Sequence, residues 1–240
     1  MHRGWSRCIG PACKRAQEFQ DHDKEYIAGI RFGATTPSYD LEKEVDRTFP
    51  IDGVTEEALR KVLPSFLGTQ EQVAPLFSAK SVDGVRAYEM ARKMYRNAQK
   101  GISDPDFDAA ALETLNHSTI TISDIELLDF WEASAMTPRT KTFSPEKRSK
   151  KFCPTPGADA PCSSTASSRI NVSDTSELGL PEAYIRIACS KGTYIRAFAR
   201  DLGEALGTGA HLSSLIRTKT GDFRLEDALT LDEALSLLID

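Results

Sequence analysis

The sequence of 240 residues has no apolar run that approaches the roughly 20 residues of a membrane-spanning helix. Residues 1–20 contain no continuous apolar stretch and are mostly polar and charged, unlike a secretory leader. The five cysteines, at positions 8, 13, 153, 162 and 189, are odd in number and too far apart for a disulfide framework or a paired zinc site. We therefore expect a cytoplasmic protein with reduced thiols, no membrane contact and no metal.

Motifs of the common cofactor enzymes and hydrolases are also missing. The chain has no G-x-G-x-x-G after a strand, no Walker motif, no H-E-x-x-H and no G-x-S-x-G. Nucleotide-cofactor, zinc-protease and serine-hydrolase chemistry therefore have no support in the sequence, and we expect no cofactor.

The net charge of the chain argues against some nucleic-acid partners but does not exclude RNA. With 30 Lys and Arg against 35 Asp and Glu, the formal net charge is −5, which argues weakly against an indiscriminate nucleic-acid binder. A protein that docks one folded RNA needs only a local basic face. Positive residues cluster within residues 186–200 and 217–224, which is where such a face is expected.

Apolar side chains that alternate with period two predict strands over residues 24–32, 118–130 and 183–189. The second of these segments fits either one strand or a strand pair. A further strand-like segment covers residues 220–229. The hydrophobic content of 40% is enough for these strands to share a sizeable core.

Helical spacing and helix-start signals occur between the strands. Thr55, followed by two glutamates, predicts an N-capped helix over residues 55–66, and a second helix is predicted over residues 84–96. A third has one apolar stripe made of Ile195, Phe198, Ala199 and Leu202. Strands interleaved with helices, without regular alternation, favour an α+β fold in which helices flank a central mixed or antiparallel sheet.

Residues 137–179 differ in character from the segments on either side. They are rich in Pro, Ser, Thr and Ala, contain the basic run EKRSKK and have few large apolar groups. Such a segment buries too little surface to offset the entropy of ordering it. We therefore predict a mobile or disordered insertion.

Three blocks, in the same order along the chain, resemble bacterial tRNA pseudouridine-55 synthases. CSKGTYIRAFARDLGEALGTGAHLSSLIRTKTGDF, residues 189–223, is similar to their C-terminal signature. DKEYIAGIRFGATTPSYD, residues 23–40, resembles their central strand and loop, and residues 66–92 resemble their long RNA-facing motif. The resemblance implies a pseudouridine-synthase-like catalytic domain in two parts, residues 8–136 and 180–240, on either side of the insertion.

The resemblance also implies site residues. Tyr26 matches the active-site tyrosine whose ring stacks on the flipped uracil, although the alternation alone would favour an aromatic side chain packed on a sheet. Arg196 matches the arginine that pairs with the nucleophilic aspartate, a contact suited to a planar two-point donor. Tyr194 and Leu215 match positions that line the nucleotide pocket.

Four basic residues are candidate RNA contacts. Lys191 and Arg217 match plausible phosphate-binding positions, and ordinary surface charge explains them equally well. Arg86 and Arg92 lie on the predicted second helix, where a solvated helix face is as good an explanation as RNA contact.

The nucleophile implied by the resemblance has no counterpart in this sequence. The family carries a motif G-T-L-D-P-x-A-x-G-x-L ahead of the block that matches residues 8–10, whereas this chain has MHRGWSR there. Asp21, Asp23 and Asp40 match non-catalytic positions or none, so none is expected to replace it. We expect a chain without the family's N-terminal strand and catalytic loop. The positive charge of Arg196 would then have no carboxylate to balance it, and the first strand of the sheet would lack a partner.

The leading expectation is a monomeric isomerase that acts on the T-stem-loop of tRNA, converting uridine to pseudouridine without metal or cofactor. Loss of the aspartate would leave this chain inactive. The alternatives are a non-catalytic module that binds and remodels tRNA, and an inert frameshifted fragment.

Overall fold

The structure is a computed structural model that describes residues 10–75, 81–82, 85–86, 117–133, 173–229, 233–234 and 236. Over the described residues, the helices with defined bounds are α1 (Ala16–Asp21), α2 (Glu56–Val62) and α3 (Ile195–Ala205), and residues 233–234 and 236 are also helical. The strands are β1 (Lys24–Phe32), β2 (Ala34–Thr35), β3 (Arg47–Thr48), β4 (Gly68–Val73), β5 (Ser81–Val82), β6 (Val85–Arg86), β7 (His117–Trp131), β8 (Glu182–Cys189), β9 (Ala210–Thr220) and β10 (Phe223–Arg224). Short 3-10 helices occupy Gly10–Arg15, Leu63–Phe66, Ser176–Leu178 and Leu225–Asp227.

Six strands form one sheet in the order β10-β9-β1-β8-β7-β4, and every pairing in it is antiparallel. The first strand, β1, therefore lies inside the sheet with a partner on each side. The expectation that it would lack a partner is wrong, because β9 from the end of the chain pairs with one of its two edges. The two short hairpins, β2-β3 and β5-β6, are separate from this sheet.

One face of the sheet carries the core. Ala28, Ile30 and Phe32 of β1 are fully buried, and their cross-strand neighbours on β8 share that face because directly paired side chains point the same way. Helix α3 covers this face with its predicted apolar stripe, which includes Phe198 and Leu202. The α+β architecture with an antiparallel sheet is confirmed.

The local predictions hold where the pattern is strong. Strand β1 has the predicted bounds, and residues 117–131 form one continuous strand rather than a pair. Thr55 is the N-cap of α2, since its hydroxyl accepts a 3.1 Å hydrogen bond from Ala58 N. The predicted end at residue 66 is reached by a 3-10 turn after α2.

Other predictions need correction. Val85 and Arg86 lie in strand β6, so the predicted helix over residues 84–96 does not begin there, and the rest of that segment is outside the described residues. Residues 210–220 form the long strand β9, which the alternation did not indicate. The strand-like segment predicted over residues 220–229 contains only the two-residue strand β10.

The end of the predicted insertion belongs to the fold. Thr175 is 1% exposed, and its hydroxyl accepts a 2.7 Å hydrogen bond from Arg31 of β1. Ser173 N donates to Leu41 O at 2.8 Å. Residues 173–179 are thus fixed by contacts with the sheet and its loops, while residues 137–172 lie outside the described residues. In the parts of the chain that the structure describes, no helix has the length and apolar character to cross a membrane.

Candidate active site

Tyr26 and Leu215 lie on the same face of neighbouring strands. Strands β1 and β9 pair Tyr26 with Arg217 and Ala28 with Leu215, so these side chains share one side of the sheet. Tyr26 and Leu215 both pack against the buried core from its margin. The Arg217 guanidinium carbon stands 5.5 Å from the centre of the Tyr26 ring, within cation–π range.

The turn that follows β8 brings Tyr194 and Arg196 to the same end of the sheet. Cys189, the last residue of β8, pairs with Lys24 at the start of β1, and α3 begins only six residues later. Within the turn, the Thr193 hydroxyl donates to Ser190 O at 2.9 Å. Tyr194 is therefore the N-cap residue of α3, close to the strand end that carries Tyr26.

Arg196 is paired with a carboxylate. Its Nη1 lies 3.1 Å from Asp40 Oδ2, and 3.4 Å from Ser38 O. The side chain of Asp40 is only 6% exposed, against 21% for Arg196. The expectation of an unbalanced charge at Arg196 is wrong, because Asp40 supplies the opposite charge from 156 positions away in sequence.

The loop that carries Asp40 is held rigidly. Asp40 Oδ1 accepts hydrogen bonds from Ser38 Oγ at 2.6 Å and from Glu42 N at 2.9 Å. Tyr39 adopts a φ of 55°, the left-handed region that non-glycine residues rarely occupy. Its carbonyl accepts from Leu212 N of β9 at 3.0 Å, which ties the loop to the sheet.

Tyr39 also packs beneath the helix that carries Arg196. The Arg200 guanidinium carbon stands 5.8 Å from the centre of its ring, and burial raises the pKa of the Tyr39 hydroxyl. A neutral phenol is therefore favoured there. Strain in a loop that is fixed from several directions is typical of functional sites.

The sequence cluster within residues 186–200 does not form a uniform basic face. Arg186 lies on the opposite face of the sheet from α3, where it bonds Asp124, Glu126 and Glu25 at 2.7, 3.0 and 3.2 Å. Although burial opposes the charge, these hydrogen bonds raise the pKa of Arg186. This arginine links three adjacent strands and is surrounded by acid, which does not favour contact with phosphate.

The candidate RNA contacts differ in their surroundings. Lys191 Nζ bonds Asp21 at 2.9 Å, and both side chains are largely exposed, so water and salt weaken that pair. Arg217 Nε is buried and has no hydrogen-bond partner among the described residues. The side chain of Arg86 and the whole of Arg92 lie outside the described residues.

Positive charge at the Tyr26 end of the sheet includes a further lysine. Lys24 Nζ donates to the carbonyls of Gln20 and His22 at 2.6 and 2.7 Å, which closes the end of α1. Burial, with the nearby charge of Arg217 as the second cause, lowers the pKa of Lys24. The sheet end therefore combines an aromatic ring with closely spaced cations.

Sequence reasoning missed two residues of this region. Asp40 was considered and set aside, and nothing in the local pattern connects it with Arg196. Gln72 of β4 was not considered, yet its side-chain amide bonds both backbone groups of Tyr194. No group of three or more His, Cys, Asp or Glu side chains in the described residues is placed to hold a metal ion.

Comparison with known proteins identifies the family. Residues 7–141 match the model of the TruB family pseudouridylate synthase N-terminal domain, and residues 196–239 match that of the tRNA pseudouridylate synthase B C-terminal domain. The chain is 41% identical over 225 residues to tRNA pseudouridine synthase B of Phocaeicola vulgatus, covering 94% of this chain and 68% of that protein. The chain belongs to the TruB family of pseudouridylate synthases, which are isomerases.

Other relatives agree. Identity is 42% over 222 residues with tRNA pseudouridine synthase B of Bacteroides thetaiotaomicron, covering 92% of this chain and 68% of that protein. It is 33% over 227 residues with the enzyme of the same name from Deinococcus radiodurans, of which the chain spans 63%. Among solved structures, a chain in a crystal structure of a Cbf5-Nop10-Gar1 complex aligns with a TM-score of 0.47 and 18% identity, over 94% of this chain and 39% of that one.

Proposed function

We propose that this chain belongs to an enzyme that isomerises uridine to pseudouridine in the T-loop of tRNA, at position 55, as a monomer in the cytoplasm. The 240 residues supply the RNA-binding pocket, and turnover needs a catalytic carboxylate that they do not contain. The observation that carries the proposal is the meeting of β1, β9 and the start of α3 at one end of the sheet. There Tyr26, Leu215 and Arg217 share a face, and Tyr194 and Arg196 follow from the neighbouring strand.

Each residue has a role suited to its chemistry. The ring of Tyr26 offers a flat surface on which a flipped uracil stacks, and Tyr194 and Leu215 close the pocket around the base and ribose. Arg217, beside the Tyr26 ring, contacts the backbone phosphate, and Lys191 with the basic residues Arg86 and Arg92 adds further phosphate contacts. None of these steps requires a metal or cofactor.

Arg196 orients the reacting carboxylate. A guanidinium binds a carboxylate through two planar donors and stays charged at all relevant pH values. Asp40 fixes Arg196 from the opposite loop, so the arginine is held ready before RNA binds. Asp40 itself is a poor nucleophile, because its two oxygens are occupied by Arg196, Ser38 and the Glu42 amide.

By the resemblance to the family, the attacking group is the aspartate of a G-T-L-D-P motif, which the 240 residues do not contain. The aspartate bonds to C1′ of the ribose as the C1′–N1 bond breaks, and the freed uracil rotates. C5 then bonds to C1′ as the bond to the aspartate breaks, and N1 takes up a proton. The proton on C5 is released to water in this exchange. Release of tritium from C5 is consequently a direct measure of turnover.

The test compares two proteins on one RNA. The 240-residue chain and the same chain preceded in frame by the family motif are each mixed with T-arm stem-loop RNA that carries tritium at C5 of its uridines. We expect tritium release only from the second protein, and binding by both. Turnover by the 240-residue chain would show that another residue is the nucleophile, and absence of binding by both would refute the proposal.

Binding without turnover in both proteins would favour the second candidate, a module that binds and remodels tRNA. The ion pair between Arg196 and Asp40 is compatible with that function, since it balances the charge of the site without a further carboxylate. Pseudouridine analysis of the recovered RNA separates the two functions.

A further inference from the structure

Gln72 bonds the backbone at the start of α3 through both ends of its side-chain amide. It lies in the edge strand β4 and is 3% exposed. Its Oε1 accepts from Tyr194 N at 2.9 Å, and its Nε2 donates to Tyr194 O at 3.2 Å. The amide of Gln72 thus pairs with both backbone groups of Tyr194, as a neighbouring strand would.

This contact satisfies one of the backbone N–H groups that have no partner within the helix at the start of α3. Tyr194 is the N-cap residue of α3 but makes no side-chain cap hydrogen bond. Tyr194 O accepts from Phe198 N at 3.0 Å, so Gln72 Nε2 shares the carbonyl on which the first turn of the helix closes. Without Gln72, the Tyr194 N–H would have to find another partner within a half-buried turn.

A second hydrogen bond follows one residue along the same strand. Arg200 Nη2, one turn further into α3, donates to Val73 O at 3.2 Å. Strand β4 is therefore fixed to the helix at two points, on either side of Arg196. The strand belongs to the segment 66–92 that resembles the RNA-facing motif of the family.

We propose that Gln72 is a positioning residue: its side-chain amide fixes the backbone of Tyr194, and through it the Tyr194 ring and the guanidinium of Arg196. The inference rests on the proposed function and deepens it. It gives β4 a task beyond closing the sheet, because the Gln72 side chain holds the turn from which α3 begins.

Three variants test this. Gln72→Leu removes both hydrogen bonds at similar volume. Gln72→Glu keeps the acceptor for Tyr194 N but places a charged carboxylate opposite Tyr194 O, and protonation at lower pH restores the donor. Gln70→Leu is the matched control, because Gln70 lies two residues earlier on the same strand and face, and among the described residues its side chain bonds only the nearby Phe66 O, at 3.0 Å.

Two readouts are taken on the folded 240-residue chain. The first is hydrogen exchange of the Tyr194 amide, which needs no RNA. The second is the affinity for a labelled T-arm stem-loop RNA, measured from pH 5 to pH 8 and divided by the wild-type affinity at each pH. Urea unfolding of every variant shows how much global stability each change removes.

We expect Gln72→Leu to speed Tyr194 exchange and to weaken RNA binding by about tenfold, and Gln70→Leu to change either by less than about twofold. The Gln72→Glu variant should approach wild-type affinity as pH falls, and urea unfolding at each pH shows whether this recovery exceeds the change in the folded fraction. If Gln72→Leu does not fold, the recovery of affinity by Gln72→Glu at low pH still tests the proposal.

The inference would be overturned if the Tyr194 amide of Gln72→Leu exchanged at the wild-type rate. It would also be overturned if the affinity of Gln72→Glu relative to wild type did not change with pH. If wild type does not bind the RNA, the proposed function fails. The exchange readout still decides whether Gln72 fixes Tyr194.

Discussion

Replacing Asp40 by asparagine should destabilise the fold through the charge of Arg196. The amide oxygen of the new side chain can still accept from Ser38 Oγ and Glu42 N, the two bonds that Asp40 Oδ1 now accepts. Its NH2 group then faces Arg196 Nη1, in place of an oxygen at 3.1 Å. The perturbation is therefore confined to the ion pair.

The size of the effect follows from burial. Removing one partner of a fully buried ion pair costs about 3–5 kcal/mol, because the other charge stays in the protein without compensation. The side chain of Arg196 is 21% exposed, so water screens part of its charge. We therefore expect the free energy of unfolding to fall by about 2–3 kcal/mol. The same loop carries the strained Tyr39, which leaves it little freedom to relax.

The assay is urea unfolding followed by circular dichroism at neutral pH. With a slope of about 2 kcal/mol per molar urea, the expected loss lowers the midpoint by about 1–1.5 M. Asp201→Asn is the control, since Asp201 pairs with Arg200 at 2.7 Å but is 31% exposed, and burial raises the pKa of its carboxyl. It should cost less than about 1 kcal/mol.

The double variant Asp40→Asn with Arg196→Gln identifies the cause. If uncompensated charge is responsible, removing Arg196 in the Asp40→Asn background should cost less than removing it from wild type, by at least about 1 kcal/mol. Equal losses in Asp40→Asn and Asp201→Asn, or additive losses in the double variant, would refute the reasoning.

Three other predictions concern buried groups. Gly203→Ala should destabilise by about 1–3 kcal/mol despite the helix preference of alanine, because the new Cβ would lie 2.7 Å from Ala210 N; Gly53→Ala, with open space, should be neutral in the same unfolding assay. Burial lowers the pKa of His211, so the unfolded chain binds more protons below about pH 6.5 and stability should fall as pH drops from 7.5 to 5; His211→Gln should flatten that slope in unfolding measured across pH. In the protein that carries the upstream family motif, Arg196→Lys should reduce tritium release by at least about tenfold, because an ammonium cannot make the two-point contact; retained activity would contradict the assigned role.

The spacing of apolar residues along the sequence was enough to predict several strands and helices of the fold. Strand β1 was predictable because its apolar residues alternate over nine positions, and α3 because its stripe repeats at helical spacing. Strand β9 was not, since irregular pairing at Glu25/Tyr26 and Gly29/Ile30 of β1 disturbs its register and with it the alternation. The polar pair Ser213 and Ser214 marks one of these irregular points.

The candidate site was only partly predictable. Tyr26, Tyr194, Arg196 and Leu215 came from resemblance to a family, and their joint pocket stays a prediction. Asp40 and Gln72 could not be found from spacing, because their partners lie 156 and 122 positions away. Such pairs depend on how the whole sheet is ordered, which no local period encodes.

The ends of the β7–β8 connection have a practical consequence for engineering. Strand β7 ends at Trp131, which pairs directly with Glu182 at the start of β8, so the chain leaves and rejoins the sheet at adjacent points. The register of the hairpin therefore does not depend on how many residues lie between them, and doubling that length costs only about 0.6 kcal/mol of closure entropy. A reporter or tag introduced between the two strands must therefore leave Ser173 and Thr175 in place, because both are hydrogen-bonded to the sheet and its loops.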